Sequence, residues 1–458
     1  MTLTAERLKV DLLVAGAGMA GLCAAAAAAE AGARVGVVEK LPEVGGSAVL
    51  SAGMLWTARD FTELQQRMPD ADAALGRALT SDFSAAVEWV RATGTEMFGP
   101  IDGPYFGFGR GWQIDVGGLF SRCVRILEGR GGWIVRDTAV KRLLRDEAGR
   151  IRGVATQGPD GSLEVDATAV LLATGGFQGD PALVAAFIGP HADRMLVRSN
   201  PGSVGDGFRM ARDAGASASR SLSGFYGHLM PSPIDDFGER HFLPLTQYHS
   251  IYLVLVDRNG RRFIDESRGD EYANQALLAL PGQRAVLLAD DAMRQRYVVT
   301  APYPRGEVVD RFAEAARAGA RYAVRPDLES LIAAVAEWGV PAADLRRTLD
   351  GHARAARGEE VSVDAPMPRQ AATLASPPFH ALEVQPAITF TLGGIRTDDQ
   401  GQALDHDGRP VAGLYAAGAD AGGVYHVGYG GGLALGLVFG RRAAHAALAL
   451  RQSPVGLR

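Results

Sequence analysis

The sequence predicts an α/β fold: a parallel-sheet domain interrupted by an inserted α+β domain. Three observations predict it. A strand, a glycine turn, a helix and a second strand follow one another in DLLVAGAGMAGLCAAAAAAEAGARVGVVEK, residues 11–40. Glycine-rich loops recur at 45–53, 173–176, 205–207 and 413–432. Between 217 and 370 the texture changes, and strand-like runs such as IYLVLVD alternate with helical runs.

The opening unit reads element by element. The apolar run Leu12 to Ala15 has the length and composition of a buried strand. Gly16, Gly18 and Gly21 follow at G-x-G-x-x-G spacing. Gly16 permits the tight turn, Gly18 lets backbone approach a pyrophosphate, and Gly21 lets the helix pack closely on the sheet. The anion then sits on a helix N-terminus, where N–H groups and the dipole favour negative charge. A second strand, Val35 to Val38, ends in Glu39, an acceptor for an adenosine ribose. The glycine spacing alone is weak evidence; the strand, turn, helix, strand and acid in order give it meaning.

Further along, helices are expected near 70–95 and 116–130, and several short strands over 133–172. The apolar strand Ala169 to Ala173 runs into Thr174-Gly175-Gly176, a second place for backbone to meet a ligand. Helical runs are expected at 312–323, 327–338 and 342–356. The predicted domains are 1–216 with 371–458, and the insertion 217–370.

The 458 residues are 47% hydrophobic and 22% charged, which is ordinary globular composition. A net charge of -5 without a long basic run argues against nucleic acid or an anionic membrane surface as partner. The N-terminal residues lack the apolar core of a signal peptide, and no stretch is long enough to span a membrane. Cys23 and Cys123 make neither a cluster for metal nor a haem motif, so no metal is expected. Cys23 reads as a small buried hydrophobe. A cytoplasmic protein is the expectation.

The dinucleotide fingerprint serves NAD and FAD alike. FAD is favoured because the motif lies at the start of the chain and the glycine loops recur, as a long extended cofactor requires. Only one full fingerprint is present, so a second unit for NAD(P)H is not expected.

The chain resembles the flavoprotein superfamily of fumarate reductase, succinate dehydrogenase and 3-ketosteroid dehydrogenase. The resemblance rests on GGSAVLSAGMLW (45–56), LLATGGF (171–177), GDGFRMARDAGA (205–216), NGRRFIDES (259–267), PPFHALEVQPAITFTLGGIRTD (377–398), GLYAAG (413–418) and FGR (439–441). It covers nearly the whole chain. It implies a bound FAD, a Rossmann-like FAD-binding domain with an inserted capping domain, and hydride transfer between flavin N5 and a carbon next to an activating carbonyl. It implies FAD contacts from Gly16, Ala17, Gly18, Met19, Ala20, Glu39, Lys40, Gly45, Gly46, Ser47, Gly53, Val140, Ala173, Thr174, Gly175, Asp206, Gly418, Ala419, Asp420 and Leu433. The family's covalent attachment uses a His in the second glycine loop. Residues 45–56 contain none, so noncovalent FAD is expected.

Departures from the family carry the substrate argument. Where fumarate reductases place two clamp histidines, this chain has Thr389 and Met230. No Arg or Lys lies between Gly413 and Phe439, where their clamp arginine falls. A carboxylate clamp needs charge-assisted donors. In their place stand Tyr425, His426 and Tyr429. Tyr429 falls on the tyrosine that hydrogen-bonds the substrate ketone in ketosteroid dehydrogenases. A phenol aimed at that oxygen stabilises the enolate-like charge that develops there. Arg268, Tyr272 and His426 are rival proton-transfer groups, and Asp270 occupies the ungapped position of the fumarate reductase arginine. His228, Tyr226, Tyr248, His249 and Tyr252 are candidates for the cap side of a pocket, and the aromatic loop 99–112 either covers an apolar substrate or simply packs.

The expected function is FAD-dependent dehydrogenation, or reduction of a C=C bond, in a cyclic or polycyclic ketone. The expected partners are a neutral small-molecule substrate and an external electron donor or acceptor. Two alternatives stay open. One is a fumarate reductase-like oxidoreductase of a small organic acid, with a weaker clamp from Arg198, Arg268 or Arg396. The other is a flavin-binding protein without turnover.

Overall fold

The computed structural model describes residues 9–102, 107–369 and 373–452. The chain divides into two compact units. The first holds residues up to Gly189, Ser199–Tyr226 and the chain from Phe390. The second holds Pro190–Arg198 and Gly227–Thr389.

The first unit is built on β1, Lys9–Ala15, α1, Met19–Glu30, and β2, Val35–Val38. Parallel strands lie in the order 410–416, 161–172, β1, β2 and 133–135. An antiparallel meander, 139–145 and 151–158, joins the same sheet through 161–172. α1 is buried on every side from Met19 to Ala29. A helix enclosed in this way carries no polar face, and its alanines combine high helix propensity with little bulk. It packs against the helices Val116–Gly129 and Gly432–Gln452. Close approach is bought by glycine: a Cβ at Gly21 would lie 1.9 Å from the Gly16 carbonyl oxygen, and one at Gly440 would lie 2.4 Å from that of Ala20. Cys23 and Cys123 are both buried and reduced in this core.

The second unit centres on the strand Phe379–Ile388, buried along its whole length. It pairs antiparallel with 285–290 on one edge and with 322–325 and 229–231 on the other. The strand 254–257 extends the sheet, and 196–197 adds a short parallel pairing. This strand explains where the boundaries fall. Its hydrogen bonds on both edges go to the inserted unit, so the division lies at 389/390 and not near 371. The motif 377–398 is therefore shared between the units. Residues 217–226 stay with the first unit through the pairing of Phe225–Tyr226 with Phe390–Thr391. The helix expected over 312–323 is shorter, Arg311–Arg317, and the chain then turns into the strand Tyr322–Arg325. Partner strand Phe379–Ile388 decides that change, because Tyr322 and Ala323 bond across to Leu382 and Ala381.

NGRRFIDES has a structural meaning here. Arg262 and Glu266, both buried, pair at 2.5 Å, and Arg262 also donates to the carbonyls of Ile264, Ala365 and Pro366. Glu266 in turn accepts from the Leu255 N–H.

Because the Gly21 contact involves backbone rather than a movable side chain, Gly21→Ala is expected to destabilise the protein by about 1–3 kcal/mol. Thermal unfolding, with flavin content measured alongside, checks this; an unchanged melting temperature would show that α1 can shift outward at no cost.

Candidate active site

The glycine turn after β1 lies against three of the expected cofactor residues, Glu39, Gly45 and Ala173. Gly16 has φ +104°, and a Cβ there would lie 2.3 Å from the Ala173 carbonyl oxygen. Gly18 caps α1 with no side-chain hydrogen bond, and the first turn carries no acid. A Cβ at Gly18 would meet nothing nearer than 3.9 Å. The N–H groups of Met19 and Ala20 belong to the first turn, whose donors have no intrahelical acceptor. This is an open, electropositive seat for a pyrophosphate. Glu39 is fixed beside it, its Oε2 accepting from the Ala17 N–H at 2.7 Å and its Oε1 from the Leu41 N–H at 2.9 Å. Its remaining lone pairs suit ribose hydroxyls.

The second glycine loop closes over the first. The Gly45 N–H donates to the Ala17 carbonyl at 2.8 Å, and Gly45 and Gly46 take φ of +121° and +53°. Ser47 shares its hydroxyl with Ser199 and accepts from the Asn200 N–H. Gly53 turns against the Ile114 carbonyl at φ +74°. Lys40 bridges Asp206 and the Gly202 carbonyl, both at 2.6 Å. Val140 is buried in the strand Ala139–Arg145, and Leu433 begins the C-terminal helix.

Asp420 pins the third loop. Fully buried, it accepts from the Thr174 N–H and hydroxyl and from the Gly176 N–H at 3.1 Å. Burial raises its pKa, opposed by these bonds. Thr174 in turn accepts from Gly207 N–H, and Gly175 takes φ +100°. Gly418, at φ +69°, and Ala419 lead into Asp420. All these residues lie in the first unit, and they fit a dinucleotide.

An aromatic cluster stands in the same unit. Tyr429 stacks on Tyr226 with centroids 3.6 Å apart, and Trp56, Phe390 and Tyr425 lie within 6.0 Å of it. The Gly432 N–H donates to the Tyr429 phenol oxygen at 2.8 Å. A donor on that oxygen polarises the phenol and strengthens it as a hydrogen-bond donor. Tyr226, expected on the cap side, thus belongs to the first unit, placed there by its pairing with Phe390. Tyr425 is buried, donates to the Gly431 carbonyl, and has its pKa driven upward by burial. His426 is half-buried and meets the Ser223 hydroxyl at 3.4 Å. From the aromatic loop, Phe108 packs edge-on against Trp56, while Tyr105 and Phe106 lie outside the described residues.

The second unit holds a buried polar cluster that motif reading only grazed. Asp270, first residue of the helix Asp270–Leu278, meets His228 Nδ1 at 2.5 Å, and both are buried. Burial pushes the Asp270 carboxyl up to about 7. Burial, and the charge of Asp270, push the adjacent Glu271 up to about 8. Burial and then the charge of Arg198 hold His228 well below the usual histidine range. The helix is keyed to the central strand by Asn274, which donates to the Ala387 carbonyl and accepts from its N–H, both at 2.9 Å. Arg198 is saturated by neutral acceptors: the Phe242 carbonyl and the hydroxyls of Thr246, Thr389 and Tyr248. Arg268 is exposed and lies over the Tyr272 ring at 5.0 Å, and Arg396 is exposed as well. The buried carboxyl that meets His228 is thus Asp270, two residues from both Arg268 and Tyr272. An acid two positions before a tyrosine carries no periodic signal; only the extended segment bringing His228 opposite it makes the pair visible.

Two outcomes follow. Flavin is expected in the supernatant after acid precipitation, and flavin in the pellet would mean a covalent link. The raised carboxyl makes the folded state bind a proton that the unfolded chain has lost, so its share of stability is full at acid pH and lost as pH rises through about 7. Asp270→Asn keeps the hydrogen bond and removes that loss. Its melting temperature relative to the native protein is expected to rise from about pH 5 to about pH 8; a constant difference would show that Asp270 does not hold the proton.

The FAD binding domain family model matches residues 11–435. A fumarate reductase (cytochrome) of Shewanella frigidimarina is 28% identical over 477 residues, covering 96% of this chain and 77% of that protein. A 4-oxocyclohexanecarboxylate 2-dehydrogenase of Sinomonas cyclohexanicum is 27% identical, covering 94% of this chain and 91% of that protein. The solved 3-ketosteroid delta1-dehydrogenase of Sterolibacterium denitrificans, 19% identical, has the same fold with a TM-score of 0.79 over 96% of this chain and all of that one. No helix among the described residues is long and apolar enough to cross a membrane. With a cradle that fits a dinucleotide and a family match along nearly its whole length, the chain belongs to the FAD binding domain family and is an FAD-dependent oxidoreductase acting on CH–CH or C=C bonds.

Proposed function

We propose that the chain dehydrogenates, or in reverse reduces, the carbon–carbon bond next to the carbonyl of a cyclic ketone. The observation that carries this reading is Tyr429: a phenol braced by the Gly432 N–H, on an arm from Gly413 to Phe439 that holds no cation. Bound FAD supplies the hydride acceptor or donor. Tyr429 donates to the carbonyl oxygen, on which negative charge grows as the neighbouring α-proton leaves. The stack on Tyr226 and the edge contacts with Trp56 and Phe390 hold the phenol's direction. The dehydrogenase of 4-oxocyclohexanecarboxylate, similar over nearly its whole length, supports a ketone as the activating group.

Tyr429→Phe keeps the ring and deletes the donor. Reduction of the flavin by ketone in single turnover is expected to slow roughly 10²-fold or more, with flavin content kept. An unchanged rate removes Tyr429 from the mechanism. Anaerobic mixing with a panel of saturated cyclic ketones is expected to bleach the flavin band, whereas succinate is not. Rapid bleaching by succinate and none by the ketones would favour the small-acid reading instead.

A further inference from the structure

The second unit contains three buried arginines, and one of them is out of balance. Arg262 faces Glu266. Arg198 spends all three of its nitrogens on neutral acceptors and lies close enough to Asp270 to feel its charge. Arg311, only 1% exposed, has no carboxylate partner among the described residues. Its Nη1 donates to the carbonyls of Val298 and Thr300 at 3.2 and 3.0 Å. Its Nε is enclosed without an acceptor, and no acceptor faces Nη2 among the described residues. The titratable groups that act on it are two phenols, Tyr248 and Tyr303, and neither is an anion at neutral pH.

A guanidinium cannot escape burial by losing its proton at neutral pH. Water can satisfy its hydrogen bonds but cannot balance its charge, and an uncompensated buried charge is strongly unfavourable. The neighbourhood repeats the deficit. His249 is 4% exposed with neither ring nitrogen hydrogen-bonded, and its ring lies 5.6 Å from that of Phe312, the residue after Arg311. Burial, and then the Arg311 charge, keep His249 neutral, so it offers one N–H. Ser250, next on the same short helical turn, has an enclosed hydroxyl without a partner. Tyr248 turns its ring toward the guanidinium at 5.9 Å.

We infer that Arg311, with His249 and Ser250, forms a receptor for the carboxylate group of a small monocarboxylic acid. The unused Nε and Nη2 form one edge of the guanidinium, and that planar fork matches the two oxygens of a carboxylate. A single cation balances a single negative charge, which disfavours a phosphate dianion. The hairpin of Val299–Thr300 and Val309–Asp310 leads directly into Arg311, and Val308 beside it is 70% exposed. The site is therefore one short hairpin away from solvent. This goes beyond the ketone chemistry proposed above: it is a separate receptor within the second unit and stands or falls without turnover.

The test uses the resting, FAD-loaded protein. Its melting temperature is measured against sodium acetate, sodium benzoate, inorganic phosphate and sodium chloride at matched ionic strength. Acetate or benzoate is expected to raise it saturably by a few degrees, while chloride and phosphate do not. Arg311→Met is expected to melt higher than the native protein without additive, since it removes a buried unpaired charge, and to lose the carboxylate response. Arg311→Lys keeps the charge but not the fork and is expected to bind carboxylate at least tenfold more weakly. Absence of any carboxylate response in the native protein, an equal response to phosphate, or a full response in Arg311→Met would each overturn the receptor.

Discussion

Backbone contact between α1 and the turn before it is the constraint on which the first unit depends. Gly21 lies so close to the Gly16 carbonyl that no side chain fits between them. That approach fixes how closely the helix lies on the turn, and the N–H groups of its first turn have no intrahelical acceptor. The second glycine loop is held to the turn, and the Thr174 loop to the Gly418–Asp420 turn, by bonds to backbone: Gly45 to Ala17, Asp420 to Thr174 and Gly176. A buried carboxylate with several N–H donors is a rigid pin, because releasing any one bond leaves a charge short of partners.

The second unit is organised by a different problem, that of charges in an apolar sheet domain. It solves that problem three ways. Arg262 and Glu266 neutralise each other. Asp270 and Glu271 rise toward neutrality by keeping protons, with His228 as the companion base. Arg198 is solvated by carbonyl and hydroxyl dipoles. The third solution resembles the way a polar cavity replaces water, with fixed dipoles standing in for a hydration shell. Arg311 follows the third route only in part within the described residues, with two carbonyls on Nη1 and no acceptor on Nε, which is why it stands out once the others have been accounted for.

The cradle and the polar cluster also differ in what they demand of sequence. The cradle uses main-chain atoms, so its signature is the glycines that let backbone approach. The cluster uses side chains from segments far apart in the chain: Arg198, His228, Tyr248, Asp270 and Thr389. No spacing rule links them, because each is delivered by a separate segment of the second unit.

Sequence alone determined the first βαβ unit and the positions of its glycine turns. Those features are local: a period of apolar residues, a turn that only glycine can make, and a helix whose N-terminus must face an anion. β2 falls on Val35–Val38 as read, and Glu39 stands beside the turn as its position required. Tertiary structure decided the rest. It moved the boundary into the motif 377–398, since hydrogen bonding on both edges assigns Phe379–Ile388 to the second unit. It turned the end of the expected helix 312–323 into the strand Tyr322–Arg325 by offering it a partner edge. It exposed Arg268 and buried Asp270 two residues away, because the backbone turns at Gly269, at φ +139°, between them. Such choices rest on which side of the chain meets another segment, and that is a property of the packed fold rather than of any stretch of sequence.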